Sequence, residues 1–401
     1  MHSMIRSSVS FSSMVAGSIT PDVVYELQQT RRILHQHPEL SFQEFKTADY
    51  IRKRLETLEI PFRPIAETGT IAYIGSGPKC VGLRADIDAL PITEATGLDF
   101  ASETDGVMHA CGHDMHTAML LGAARVLKGL EQTLPGTVVL VFQPGEEKTP
   151  GGASLILAEG GLDNPRPEMM FAQHADPDSP AGVLSFADGA MMASADELTW
   201  TVRGRGAHAA QPHKSADPLY AAAGLVHHLQ GVFARFRNPL YQTVLTVTSI
   251  HGGTAFNVIP ETVSMLGTLR SFSQEWRHEA WALLEHHTRE YCRLYGCEGE
   301  IDINRGYPAL VNHPTATQLA RSTALHLVGE HHVREFEPKM WAEDFAYYAL
   351  QIPSCFWMLG VRPHHQDEMP GLHHPQFNPD EGALELGVRM LVSTAITYLH
   401  T

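Results

Sequence analysis

Cysteine is scarce in this chain, five among 401 residues. A sparse, odd-numbered set argues against a disulfide framework and suits a reducing compartment. Apolar runs long enough to span a bilayer are missing, which argues against a transmembrane protein. Basic residues are in deficit, with 29 Lys and Arg against 45 Asp and Glu. The resulting net charge of −16 argues against nucleic acid or an anionic membrane surface as partner. No internal repeat and no low-complexity tract is evident beyond a leader over residues 1–19, rich in Ser and Met. With one Arg and no continuous apolar core, that leader makes a poor signal peptide. It is expected to be flexible, and the protein cytoplasmic.

Hydrophobic residues at 43% and charged residues at 18% describe a globular chain, and the length predicts two domains. Histidine is abundant at 24. The pairs His227-His228, His286-His287 and His331-His332 fall on helix-like or loop segments and are expected to be solvated.

Thr20-Pro21-Asp22 opens a helix that Pro38 stops, and Ser41 to Leu58 repeats its apolar residues as a second helix. Strands are expected at Thr70–Ile74, Val81–Arg84, Val138–Phe142 and Met169–Ala172, with helices at Thr117–Leu130 and Ala153–Glu159. That alternation predicts an α/β fold with a parallel or mixed sheet. From about Phe186 the pattern becomes strand, helix, strand, strand, helix, strand, closing at Ile303. This predicts an inserted α+β domain of the ferredoxin-like, split βαβ kind over 187–303. The first domain then comprises 20–186 and 304–401, with further helices at 314–328 and 379–400.

His109-Ala-Cys-Gly-His-Asp-Met-His116 packs a thiol, three imidazoles and a carboxylate into one short segment, a mixed donor set that suits zinc or a similar divalent ion. Alone, Cys111 and His113 read as a buried cysteine beside a helix start. Asp86, the adjacent Glu146 and Glu147, and His174 each follow an apolar strand, where ligand groups of such sheets gather. Of the two glutamates, one can bind metal while its neighbour takes a proton from water. Asp86 is expected to be the carboxylate behind a metal-bound histidine, and Asp88 to cap the turn before Pro91. Asp114 reads equally as a helix cap or a ligand, and His109 and His116 as supporting residues. His373 is a fifth possible ligand, with His364, His365 and His374 in competition. His208, Asn257 and Arg270 are weak signals by themselves; the last two suit a substrate carboxylate.

Arg84-Ala-Asp-Ile-Asp-Ala-Leu-Pro, His109 to His116, Phe142-Gln-Pro-Gly-Glu-Glu, Gly204 to Pro212, Asn257-Val-Ile-Pro and Leu372-His-His-Pro occur in the order seen in the N-acyl amino acid amidohydrolases. The chain resembles the hippurate hydrolase, auxin-conjugate hydrolase and N-acetyldiaminopimelate deacetylase branch of the aminoacylase/carboxypeptidase metallopeptidases, over roughly residues 20 to 400. The resemblance implies a dinuclear catalytic domain with an inserted lid that dimerises. By the same resemblance Cys111, His113, Glu147, His174 and His373 are the ligands of two divalent ions: zinc or manganese first, cobalt or nickel next. Glu146 would be the general base, Asp86 the carboxylate behind a metal, His208 the oxyanion donor in its own or a partner's site, and Asn257 a substrate contact. Met115 and the Ala-Gln-His-Ala around His174 depart from the family pattern and would reshape the pocket. The activity implied is hydrolysis of small N-acyl amino acids, the alternative a metallocarboxypeptidase acting on peptides or acylated peptides. A catalytically silent binding protein is disfavoured, because base and ligands are all present.

Overall fold

The computed structural model describes Val15 and residues 17–401. Most of the expected leader lies outside these residues. Of those described, Val15 and Ile19 are buried in the first unit's core, so this end of the stretch is packed. The chain divides into two compact units. The first runs to Gly189 and takes in Val311–Glu337 and Asp344–Thr401; the second is Ala190–Leu310 with Pro338–Glu343. The second unit thus reaches beyond the expected 187–303 and gathers a short piece from later in the chain.

In chain order the first unit begins with α1 (Pro21–Gln36), which has proline in its first turn and Asp22 near its positive end. Next is α2 (Phe45–Thr57), which starts later than the expected Ser41. Phe42 at φ +63° is incompatible with a helix there. Then follow β1 (Phe62–Ile65), β2 (Gly69–Ile74), β3 (Cys80–Asp86), α3 (His113–Gly129), β4 (Thr137–Gln143), α4 (Gly152–Ala158), β5 (Met169–Pro180) and β6 (Leu184–Phe186). The second unit contributes β7 (Ser194–Arg203), β8 (Ala207–His208), α5 (Pro218–Phe236), β9 (Thr243–His251), β10 (Val258–Ile259), β11 (Thr262–Ser271), α6 (Gln274–Arg293) and β12 (Glu298–Arg305). The first resumes with α7 (Pro314–Val328), β13 (Val333–Glu335), β14 (Ser354–Arg362) and α8 (Ala383–His400).

The first unit's sheet has the order β1-β2-β4-β3-β5-β14-β6-β13. Its centre is parallel, with β3 between β4 and β5, and β14 parallel to β5. Antiparallel pairs β1–β2, β2–β4 and β14–β6 make it mixed. β3 and β4 are buried along their whole length, as continuous apolar strands covered on both faces must be. Helices α1, α3 and α8 pack together, and α3 and α8 also contact the sheet. Phe142, Phe171 and Trp357 are fully buried, each contributing about 1.5–3 kcal/mol by leaving water. Among the described residues no helix is long and apolar enough to cross a membrane.

The second unit is an antiparallel sheet of order β9-β11-β7-β12 with α5 and α6. In β7 buried residues alternate with more exposed ones, so the sheet has one covered face. Leu198, Trp200 and Val202 supply that face and join the core with Leu225, Trp276 and Leu284 of the helices. Asp217 and Ser273 cap the two helices by accepting from their first backbone N–H groups.

Candidate metal centre

Every candidate ligand sits in the first unit, near the carboxyl ends of its central strands. Parallel pairing sets Asp86 beside Gln143 and Arg84 beside Ala172. Two residues on, Asp86 and His174 stand at one level. β4 ends at Gln143, and the Pro144-Gly145 turn then delivers Glu146 and Glu147. Gly145 has φ +57°, and a Cβ there would lie 2.2 Å from the Phe42 ring. Gly112, φ +87°, does the equivalent work between Cys111 and His113, where a Cβ would meet Ala175 at 3.1 Å. The helix therefore starts at His113 and not at Thr117, and its first turn carries the donors.

Cys111 Sγ lies 3.5 Å from His174 Nε2. His113 Nε2 stands 3.9 Å from Glu147 Oε1 and 3.8 Å from Asp86 Oδ1, too far for hydrogen bonds. His373 Nε2 is 3.2 Å from Glu147 Oε1, without hydrogen-bond geometry. Donor atoms of Cys111, His113 and His174, of Cys111, Glu147 and His373, and of His113, Glu146 and Glu147 each fall within 4.8 Å of one another. The structure thus brings Cys111, His113, Glu147, His174 and His373 together with the buried Glu146. Of the competing C-terminal histidines, His364, His365 and His374 join no such group among the described residues. His373 is held by its backbone at φ +63°, with its N–H donating to Ala110 O at 2.8 Å.

The electrostatics ask for a cation. Burial pushes the Cys111 thiol well up, and Glu147, Glu146 and Asp86 add to it. A thiolate there needs a positive neighbour. Burial opposes a charge on His113, yet Asp86, Asp88 and Glu147 outweigh it and raise the imidazole to about 10. Burial, reinforced by His116, keeps His174 neutral, well below the usual imidazole range. His113 Nε2 and Glu147 Oε1 are buried with no hydrogen-bond partner. Orphaned atoms of both kinds around one thiol fit a divalent ion, which takes the place of the proton.

Asp88 is the residue that sequence reasoning misplaced. Its carboxylate is fully buried, accepts from Ser41 Oγ at 2.6 Å and Glu147 N–H at 2.9 Å, and lies 3.3 Å from His113 Nδ1. It braces two candidate ligands at once. Asp86 faces His116 and Arg84 instead. Burial works against its charge, and His113, Arg84 and His116 more than offset that, holding it well below the ordinary carboxylate range. Asp114 neither caps the helix nor points into the cluster, because Arg31 and His35 bind it, each at 2.8 Å.

His208, Asn257 and Arg270 belong to the second unit. The first two are neighbours: Val258 pairs with His208, and Ala209 N–H donates to Asn257 O at 3.0 Å. His208 Nδ1 accepts from Ala210 N–H, which leaves the proton on Nε2. Arg270 stands at the far end of β11, half-buried, and shares no cluster with that pair.

A mixed sheet gathering thiol, imidazole and carboxylate donors beside a buried glutamate defines a metal-dependent hydrolase. The chain belongs to peptidase family M20/M25/M40, whose model matches residues 82–397. It is 40% identical to N-acetyl-L-cysteine deacetylase of Bacillus subtilis, covering 88% of this chain and 83% of that one. It is 36% identical to IAA-amino acid hydrolase ILR1-like 6 of Arabidopsis thaliana, over 95% and 82% of the two chains. The Bacillus subtilis YxeP protein, described as a dinuclear metal-binding peptidase of this family, superposes with a TM-score of 0.83 at 34% identity. That match covers 95% of this chain and all of that one.

Proposed function

We propose that this chain hydrolyses the amide bond of N-acyl amino acids, releasing a carboxylic acid and a free amino acid, with Cys111, His113, Glu147, His174 and His373 holding two divalent ions. The observation that carries the reading is the convergence of those five donors beside buried Glu146. When bound, the ions supply Lewis acidity and make water a nucleophile near neutral pH. Glu146 then takes the proton of the attacking water and returns it to the leaving nitrogen, for which its place beside Glu147 and His113 suits it. Asp88 and the Asp88 carbonyl keep His113 turned with Nε2 towards the other donors. His208, protonated at Nε2, stabilises the oxygen of the tetrahedral intermediate, in its own chain or a second copy. Asn257, beside His208, and Arg270, at the opposite end of β11, contact the substrate from different copies of the chain, Arg270 through the substrate carboxylate. The same reading makes the second unit a lid and a dimer surface. Zinc or manganese is the expected metal, cobalt or nickel the next choice. The five unpaired cysteines support the cytoplasm as the location.

Replacing Glu146 with Gln tests the base. The variant should bind metal as the wild type does and lose turnover by roughly 10²- to 10⁴-fold. Near-wild-type turnover would sink the assignment.

A further inference from the structure

His116 takes no part in the chemistry proposed for Glu146 and the five ligands, although it is fully buried and its ring centroid lies 4.6 Å from that of His174. Both of its nitrogens are engaged. Nε2 accepts the Ala175 N–H at 2.9 Å, so that nitrogen carries no proton. The proton sits on Nδ1 and is donated to Asp86 Oδ1 at 2.6 Å. A ring in this state has no lone pair left for an ion.

Each end of this link is anchored. Arg84 Nη1 donates to Asp86 Oδ2 at 2.5 Å, and Arg84 Nη2 to Asp344 Oδ1 at 2.9 Å. Asp344 also accepts from Gln143 Nε2 and from Ala153 N–H. At the other end, the backbone of Ala175 is held on both sides of its Cα. His116 takes its N–H, and its carbonyl accepts from His174 Nδ1 at 2.9 Å. That second bond commits the His174 proton to Nδ1 and leaves Nε2 facing Cys111 Sγ. The link therefore runs from the buried arginine through Asp86 and His116 to Ala175, the residue whose carbonyl orients His174. His116 rides on α3, the helix whose first turn presents His113, so it also ties that helix to β5.

We propose, on the metal-site reading above, that His116 is a positioning residue for His174. It acts through the backbone of Ala175 and binds no metal itself.

The test uses full-length protein stripped of metal, with Co²⁺ as the probe, and compares the wild type with His116→Asn and His116→Gln. Asparagine keeps a donor for Asp86 but is too short to reach Ala175 N–H. Glutamine places its amide oxygen where Nε2 was. Wild type should take up two equivalents of Co²⁺. The asparagine variant should still take up two, one of them bound roughly 10- to 100-fold more weakly, with a shifted thiolate-to-cobalt absorption band. Glutamine should recover most of the affinity and the band. Should the asparagine variant not fold, His116→Leu, close to the imidazole in bulk and unable to accept the Ala175 N–H, carries the same expectation.

Identical affinities and spectra in all variants overturn the inference while the metal-site reading stands. Complete loss of one equivalent in both His116 variants makes His116 a ligand and overturns it too. Wild-type protein that takes up no Co²⁺ overturns the metal-site reading, and this inference with it.

Discussion

His113 Nδ1 donates to the backbone oxygen of Asp88 at 2.9 Å, and that bond decides which imidazole nitrogen remains for an ion. The carboxylate of the same Asp88 holds the backbone N–H of Glu147. One residue thus sets the orientation of two proposed ligands.

Asp88→Ala should therefore weaken metal binding roughly 10- to 100-fold, the usual cost of losing a group that orients a ligand. Competition with a zinc indicator reads this directly. Unchanged affinity would remove the Asp88 carboxylate from the site.

Gly145→Ala should be costly despite adding one methyl group. The residue has φ +57°, and the new carbon would overlap the Phe42 ring. A loss of about 1–3 kcal/mol is expected from the backbone conformation alone. It should appear as a lower urea midpoint, with reduced turnover because Glu146 and Glu147 follow directly. A variant as stable and active as wild type would show that the loop does not depend on this conformation.

Much of the site could be read from sequence because its chemistry is local. Cys111 and His113 share one turn, and Glu146 and Glu147 are adjacent. The roles of Asp86 and Asp88 were less legible. Spacing by two puts them on one side of a strand but does not reveal which meets His113 and which meets His116. Strand β14 was missed altogether. Its residues Ser354 to Val361 are all buried, so the run has no alternation of polar and apolar residues to betray it, and it lies between β5 and β6, far from both in sequence. Asn257 and Arg270 both suit a substrate carboxylate by residue type, and only strand register shows that β11 carries Arg270 to the end away from Asn257.

Stability should carry a pH signature from Glu44. Its carboxyl accepts from Gly145 N–H and Thr68 Oγ1. Burial, with Asp88 adding to it, raises its pKa from 4.5 to about 7. The folded state holds this proton more tightly than the unfolded state. The contribution is therefore full below 4.5 and is lost as pH rises through about 7. In chelator-treated protein, Glu44→Gln should flatten that part of the Tm profile and gain on wild type at pH 8. Parallel profiles would mean that Glu44 does not titrate there.

His208 and Arg270 should separate kinetically. Loss of the donor in His208→Ala should lower kcat roughly 10²- to 10³-fold with little change in KM. Arg270→Ala should act mainly on KM, because a bond to the substrate carboxylate is made before the transition state as well as in it. The reverse pattern would exchange their roles.

The central claim is metal-dependent release of an amino acid from its N-acyl derivative. The direct measurement is free amino acid formed from acetyl, benzoyl and indoleacetyl amino acids, with an unblocked dipeptide alongside. Each is assayed with Mn²⁺, with Zn²⁺ and with EDTA. The account predicts release from at least one acyl amino acid, abolished by EDTA, restored by metal, and faster than from the dipeptide. Release that survives complete chelation, or a metal-loaded protein that cleaves only the dipeptide, would contradict it.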